Sequence, residues 1–241
     1  MIPALDTAFL GEVLLKLLAA LPMTLAIFVL CISLGGLLAL GLTWMRVSGM
    51  RLLDRFARAY VFVFRGSPLL VQLFLLYYGL GQFPAVRHSF AWPILREPFA
   101  CAVISLGLCT AAYSTEIFRG ALAAVPEREV EAARACGMSG FLLFRRIIFP
   151  VALRHALPAY STELILMVKS TSLASIITVS EMTGVAQKLI TQTYRTMEVF
   201  LCAAVLYLAI NFVVARLIGL LEYRLSRHAR RPPALAPVLH E

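Results

Sequence analysis

The stretch VLLKLLAALPMTLAIFVLCISLGGLLALGLTW, Val13–Trp44, contains a single charged residue, Lys16. A helix that spans a bilayer needs about 20 predominantly apolar residues. This stretch is longer, so we expect it to tilt or to begin in the interface. Only helices and closed barrels cross a bilayer, and the stretch lacks strand alternation, so it predicts a helix. Gly35, Gly36 and Gly41 are predicted to allow close contact with a neighbouring helix.

Four further apolar runs follow the first. They extend over Tyr60–Leu80, Phe99–Phe118, Ala156–Val179 and Val199–Leu221. The composition agrees, since 61% of the residues are hydrophobic and 15% are charged, against about 45–50% and about 25% in soluble domains. We therefore predict an all-α polytopic membrane protein with five transmembrane helices.

Arginines concentrate in three of the segments outside these runs. They lie at 46, 51, 55 and 58 after the first span, between 119 and 154 after the third, and between 224 and 231 after the fifth. The positive-inside rule places these segments in the cytoplasm, so the N-terminus faces out and the C-terminus faces in. We expect residues 1–20 to be a periplasmic segment that enters span 1, residues 21–222 to form the transmembrane domain, and residues 223–241 to form a cytoplasmic tail that is partly disordered.

The charge and the cysteines exclude other classes. The net charge is +9, but the arginines lie between apolar runs, which indicates membrane topology and not nucleic-acid binding. The five cysteines form no CxxC pair, and the histidines lack the spacing of metal ligands. The sequence also contains no GxxxxGK[ST] phosphate loop, so the chain is not itself an ATPase.

The longest polar insertion lies between the third and fourth spans. Pro126 and the acidic residues after it suit the first turn of a helix, which Gly137 is predicted to stop. Ser139 can cap a second short helix, which Pro150 is predicted to end. From the residues alone, this hairpin could dock a soluble partner or lie on the lipid headgroups.

The spacing within this hairpin resembles a known motif. Glu131-Ala132-Ala133, three intervening residues, Gly137, and then Ile147 and Pro150 match the pattern EAA–x3–G–x9–I–x–L–P of binding-protein-dependent ABC importer permeases. The one departure is Phe149, where leucine is usual. The resemblance implies that the segment is a cytoplasmic coupling helix between spans 3 and 4, seated in a groove of the ATPase subunit.

The resemblance extends from about Leu21 to Leu221. The signatures Phe64–Gln72, Glu116–Gly120, Leu157–Tyr160 and Lys169–Leu173 resemble the polar amino acid branch, and within it the histidine, lysine–arginine–ornithine and octopine–nopaline permeases. This implies a permease of the bacterial inner membrane that imports polar amino acids by alternating access. Its implied partners are a second related permease, an ATPase dimer that holds the ATP and Mg, and a periplasmic solute-binding protein. The two permeases are expected to form a heterodimer more readily than a homodimer. No cofactor is expected on this chain.

Two charged residues are predicted at membrane depth in span 4, where ionisable groups are costly. Counting from the cytoplasmic end, Glu163 lies about 10 Å in and Lys169 about 20 Å in. Their spacing puts them about 120° apart around the helix, so they cannot form a direct pair. Glu163 could accept the ammonium or guanidinium of a translocating amino acid, or it could pair with an arginine of its own or a neighbouring subunit. Related permeases place the glutamate of this motif near the substrate, which supports the first interpretation.

Other residues of the same signatures complete the predicted substrate path. Lys169 could hold the substrate carboxylate, or it could bond backbone carbonyls or snorkel to a cavity. Tyr160, Ser170 and Glu116 are the further candidates. Glu116 and Arg119 lie three residues apart on one helix face, so a local ion pair is the simpler interpretation.

Three alternative functions follow from the same residues. An integral membrane enzyme would use Glu116, Glu163 and Lys169 catalytically, but none of them has an evident activating partner. A secondary transporter would be driven by an ion gradient, although five spans without inverted repeats are few for a self-sufficient carrier. The third alternative keeps the fold and imports another small polar solute.

Overall fold

The computed structural model describes residues 6–226, which form eleven α-helices and, within that range, no strand. The helices are α1 (Thr7–Val47), α2 (Arg51–Gly66), α3 (Leu69–Phe74), α4 (Pro84–Arg87), α5 (Trp92–Leu95), α6 (Pro98–Ala123), α7 (Glu127–Ala135), α8 (Gly140–Leu143), α9 (Phe149–Ser170), α10 (Met182–Thr193) and α11 (Thr196–Ser226). Two π-helical turns, Leu75–Gly79 and Phe144–Ile148, and two 3-10 segments, Leu80–Gln82 and Thr171–Ile177, extend them. The predicted disordered end of the tail lies outside the described residues.

Three of these helices, α1, α6 and α11, are long and apolar enough to cross a membrane by themselves. Two bent pairs pass the same test together: α2 with Leu69–Gln82, bent by 103°, and Gly140–Ile177 with α10, bent by 50°. The predicted all-helical membrane fold is confirmed, and the predicted number of five spans is reached when each bent pair is counted as one. The orientation of the spans remains a prediction.

Helix α1 is the longest element. Its 41 residues extend about 60 Å at 1.5 Å per residue, twice the thickness of a typical hydrocarbon core. The Asp6 carboxylate caps its start by accepting a hydrogen bond from the Phe9 N–H at 3.1 Å. Gly49, with φ +74°, follows its end, where the backbone turns in a left-handed conformation. The length fits the expectation that the first span tilts or begins in the interface.

Helix α6 lies at the centre of the fold, against α1, α2, α3 and α9. It packs most closely on α1, where a Cβ added at Gly35 would lie 2.7 Å from the Cβ of Thr110 and 2.8 Å from the Gly107 carbonyl oxygen. Gly35 therefore allows the close contact between α1 and α6, as predicted. At Gly36 a Cβ would make an ordinary contact, 3.8 Å from the Tyr160 hydroxyl. Gly41 has no such neighbour within 4 Å, so that part of the prediction is wrong for contacts among the described residues.

Replacing Gly35 with alanine is expected to lower the thermal stability of the purified protein. The added methyl group would clash with Thr110 and the backbone of α6, and overpacking of this kind costs about 1–3 kcal/mol. Gly41→Ala on the same helix is the matched control, because its methyl group would meet open space. The two variants are compared by the temperature at which half of the monodisperse peak is lost in size-exclusion chromatography. Equal midpoints would contradict the packing argument.

The second predicted span is broken where Pro68 lies. Proline has no N–H to donate, so the Phe64 carbonyl one turn earlier loses its helical partner. The Gln72 side chain supplies a donor instead: its Nε2 donates to the Phe64 carbonyl oxygen at 2.9 Å and also to that of Ser67 at 3.0 Å. The chain turns by 103° at this point. The chain therefore bends at Pro68, and the predicted span Tyr60–Leu80 is not one straight helix.

The fourth predicted span, Ala156–Val179, is longer than expected and is interrupted near its far end. Helix α9 begins at Phe149 and runs without interruption through Pro158 to Ser170, where a 3-10 segment continues it to Ile177. Thr178 then adopts a left-handed conformation with φ 73°. Helix α10 follows after a bend. The sequence pattern missed α10 because its polar face interrupts the apolar run.

Candidate functional site

The first candidate site is the hairpin from Glu131 to Pro150. Gly137 ends α7 with φ +78°, which an L-residue with a side chain rarely adopts. The N–H of Gly137 donates to the Arg134 carbonyl at 2.9 Å, and that of Met138 donates to the Ala133 carbonyl at 3.0 Å. This pair of bonds is the Schellman motif that closes a helix C-terminus. The prediction that Gly137 stops the first helix is confirmed.

The second half of the hairpin differs from the prediction. Ser139 stands at the N-cap position of α8, but its side chain makes no capping hydrogen bond. Pro150 does not end the helix; it lies in the first turn of α9. Proline is tolerated in a first turn, and the preceding π-helical turn leads directly into α9. Both predictions are therefore wrong, and the hairpin is continuous with the fourth span.

The hairpin presents a mixed apolar and charged surface. Ala133 and Leu143, one in each arm, are buried. Glu131, Ala132 and Gly137 are exposed. The other exposed side chains include Phe141, Leu142, Phe144, Arg145, Arg146 and Phe149. Exposed large apolar residues rimmed by charges mark a surface that another molecule covers.

The second candidate site is Glu163, in the middle of α9. Glu163 is 5% exposed, and its Oε1 has no hydrogen-bond partner among the described residues. No arginine of the described chain pairs with it; Arg65 acts on its charge only at longer range. A buried carboxylate oxygen without a donor is costly, and the cost falls if the carboxyl group is protonated or gains a donor from another molecule.

The other predicted path residues are not all brought together with Glu163. Tyr160 lies one turn earlier on α9, with its ring 5.6 Å from that of Phe118. The Ser170 hydroxyl donates to the Leu166 carbonyl of its own helix at 2.9 Å. Lys169 is exposed, and no hydrogen bond or ion pair holds its ammonium within residues 6–226. Only Tyr160 therefore shares the surroundings of Glu163.

Glu116 belongs to a separate group of charges. Its carboxylate accepts from Arg119 at 2.9 Å, which confirms the predicted local ion pair. It also accepts from Arg46 at 2.7 Å, across helices α1 and α6. Both carboxylate oxygens thus accept hydrogen bonds from arginines, so Glu116 is held in an ion-pair network.

The structure also reveals a buried carboxylate that sequence reasoning missed. Glu181 is completely buried at the start of α10. It accepts from the Gly184 N–H and from the Tyr207 hydroxyl, both at 2.8 Å. Unlike Glu163, it is satisfied, so it stabilises the break in the fourth span. The available signal was a glutamate at the N-cap of an apolar segment, three residues before a glycine.

Within the part of the chain that the structure describes, no three His, Cys, Asp or Glu residues are placed to hold a metal ion. The fold and its two candidate sites define a polytopic helical membrane protein with an exposed interhelical hairpin and a buried carboxylate.

Comparison with known proteins identifies the family. Residues 32–227 match the model of the binding-protein-dependent transport system inner membrane component. The chain is 56% identical to the octopine transport system permease protein of Rhizobium radiobacter, over 91% of this chain and 90% of that protein. It is 42% identical to the histidine/lysine/arginine/ornithine transport system permease protein of Escherichia coli K12, over 86% and 87%. The chain belongs to the family of binding-protein-dependent transport system inner membrane components, so the resemblance stated from the sequence is confirmed.

The fold agrees with a solved relative. The structure of an amino acid ABC transporter with histidines has a TM-score of 0.81 to this chain at 31% identity, covering 92% of this chain and 99% of that one. The family consists of ABC transporter permease subunits, in which the ATPase activity lies in a separate subunit, and no enzyme family is indicated.

Proposed function

We propose that the chain is the permease subunit of an ATP-driven ABC importer that moves polar amino acids, of the basic or opine-like type, by alternating access. The family match over residues 32–227 carries this proposal, because it includes both the hairpin and Glu163. Relatives named for octopine and for histidine, lysine, arginine and ornithine support the cargo class. All of these cargoes carry a cationic group that a carboxylate can bind.

Glu163 is the proposed cargo-binding residue. Its buried Oε1 lacks a partner among the described residues, and an ammonium or guanidinium would supply a donor. Tyr160, one turn earlier on the same helix, carries a further hydroxyl. Because Glu163 is enclosed, cargo reaches it only when the spans separate, as alternating access requires. Lys169 and Ser170 are proposed as a further part of the path that forms against the second permease subunit.

The Glu131–Pro150 hairpin is the proposed contact with an ATPase dimer, which would hold the ATP and Mg. Its exposed phenylalanines and arginines suit a protein groove, and the Schellman turn at Gly137 fixes the angle between its arms. The proposed assembly is completed by a second related permease and a periplasmic binding protein. The second permease is more readily a different subunit than a second copy of this chain. We place it in the bacterial inner membrane, with the arginine-rich ends in the cytoplasm.

The proposal is tested by reconstituting the chain with its ATPase, partner permease and binding protein in proteoliposomes. We expect uptake of radiolabelled arginine or octopine with ATP, little uptake with a non-hydrolysable ATP analogue, and little uptake of glutamate. Uptake driven by an ion gradient without ATP would instead identify a secondary transporter. ATP-driven uptake of uncharged solutes alone would keep the mechanism and overturn the cargo class.

A further inference from the structure

A polar cavity lies where the ends of α1, α2 and α6 meet, separate from Glu163 and from the hairpin. Its volume is about 450 Å³. Four charged residues and three apolar residues line it: Arg46, Asp54, Arg58, Arg119, Val47, Leu122 and Ala123. The proposed transport mechanism assigns no role to this cavity.

The charges around the cavity form one connected chain. Asp54 lies between Arg58 and Arg46, with the Arg58 Nε donating to Asp54 at 3.0 Å and the Arg46 Nε 3.1 Å from it. Glu116 lies between Arg46 and Arg119, at 2.7 Å and 2.8 Å. Three arginines against two carboxylates leave one positive charge in excess. A single negative charge would balance the group.

Each guanidinium also retains donors that no described group uses. The bonds of Arg58 and Arg119 involve Nε and Nη2, which leaves Nη1 of each without a partner among the described residues. Arg46 binds Glu116 through Nη1, and its buried Nε contacts Asp54 without forming a hydrogen bond. A guanidinium can bind two phosphate oxygens at once through a pair of N–H donors, so such a cluster suits a phosphate.

The location of the cavity favours a lipid as the source of a phosphate. Helices α1 and α6 are candidate membrane spans by length and composition, and both end at this cavity, which fits a position near one surface of the bilayer. Val47, Leu122 and Ala123 give it an apolar wall beside the arginines. Basic pockets between transmembrane helices bind anionic headgroups in this way.

We propose that this cavity binds the phosphate of an anionic phospholipid, with Arg46, Arg58 and Arg119 as donors. A phosphatidylglycerol phosphate brings the one negative charge that the cluster lacks. Phosphatidylcholine carries the same phosphate with a cationic choline, which the arginines would repel. Free inorganic phosphate offers the same oxygens but makes no use of the apolar wall.

The test uses the assembled transporter purified in detergent and titrated with phosphatidylglycerol or phosphatidylcholine, with bound lipid counted by native mass spectrometry. We expect phosphatidylglycerol to bind more tightly. Arg58→Gln should weaken that binding by about tenfold, the size of one charge-assisted hydrogen bond. Arg58 is the most exposed of the three arginines, and without it Asp54 keeps Arg46. Arg55→Gln, on the same helix but not lining the cavity, is the matched control and should leave binding unchanged.

A second variant fills the cavity without changing its charge. Ala123→Phe should weaken phospholipid binding as Arg58→Gln does. If the Arg58→Gln transporter does not assemble, Ala123→Phe alone tests whether the lipid binds in the cavity. Loss in Arg58→Gln without loss in Ala123→Phe would overturn the proposal, since the lipid would then bind surface charge alone. Equal binding of the two lipids, equal losses in Arg58→Gln and Arg55→Gln, or displacement by inorganic phosphate would overturn it as well. None of these results depends on which amino acid the importer carries.

Discussion

Glu163→Gln is expected to reduce ATP-driven uptake of arginine or octopine by about tenfold to a hundredfold. The substitution keeps the size of the side chain but removes the charge, and a hydrogen bond to a charged group contributes about 1.5–3 kcal/mol. The loss should be largest at low cargo concentration, because the variant binds cargo more weakly. Glu163→Asp, which keeps the carboxylate, should retain more activity. Uptake by reconstituted transporter is measured beside its ATP hydrolysis.

The controls separate cargo binding from pairing with a neighbouring subunit. Glu97→Gln removes one carboxylate from an exposed loop position and should leave uptake unchanged. If Glu163 instead binds an arginine of the second permease, Glu163→Gln should weaken the permease pair, detected as dissociation in size-exclusion chromatography. Unimpaired uptake by Glu163→Gln would remove this residue from the cargo site.

The hairpin shows how far local sequence chemistry reaches. Gly137 could be predicted as a helix stop because only glycine readily adopts the left-handed conformation that closes a Schellman turn. The end at Pro150 was predicted wrongly, since proline ends one helix or starts the next depending on the turn before it. That turn is π-helical here, and nothing in its composition distinguishes it from an α-helical turn. Contacts within a few residues were thus predictable, and the junction of two elements was not.

The carboxylates make the same point at longer range. Glu163 could be singled out because a lone acid in an apolar run is expensive. Its lack of a partner among the described residues is a property of the packed spans that no spacing reveals. Likewise, the contact of Arg46 with Glu116 joins residues 70 positions apart. The five apolar runs indicated which segments are helices, whereas the contacts among those helices required the structure.

Gly137→Val is expected to abolish coupling between ATP hydrolysis and uptake while the protein still inserts and assembles. A β-branched residue at φ +78° is strained by about 1–2 kcal/mol. The Schellman turn would therefore open, and the arm that carries Glu131 would change its direction relative to α8. A hairpin of the wrong shape would not transmit closure of the ATPase dimer to α9, with which it is continuous. We expect uptake to fall by more than about tenfold, because strain of this size already shifts the turn's equilibrium about tenfold, while hydrolysis continues.

Gly140 provides the matched control for this prediction. It is the first residue of α8, three positions after Gly137, at φ +51°, and a Cβ added at either glycine would have no neighbour within 4 Å among the described residues. Gly140→Val therefore introduces comparable strain at a position that the EAA–x3–G–x9 pattern leaves unspecified, and we expect a smaller loss of uptake. Gly137→Asn, a residue that tolerates the left-handed conformation, should restore much of the coupling. Equal losses in Gly137→Val and Gly140→Val would show that strain anywhere in the loop matters and that the Gly137 turn has no particular role in coupling.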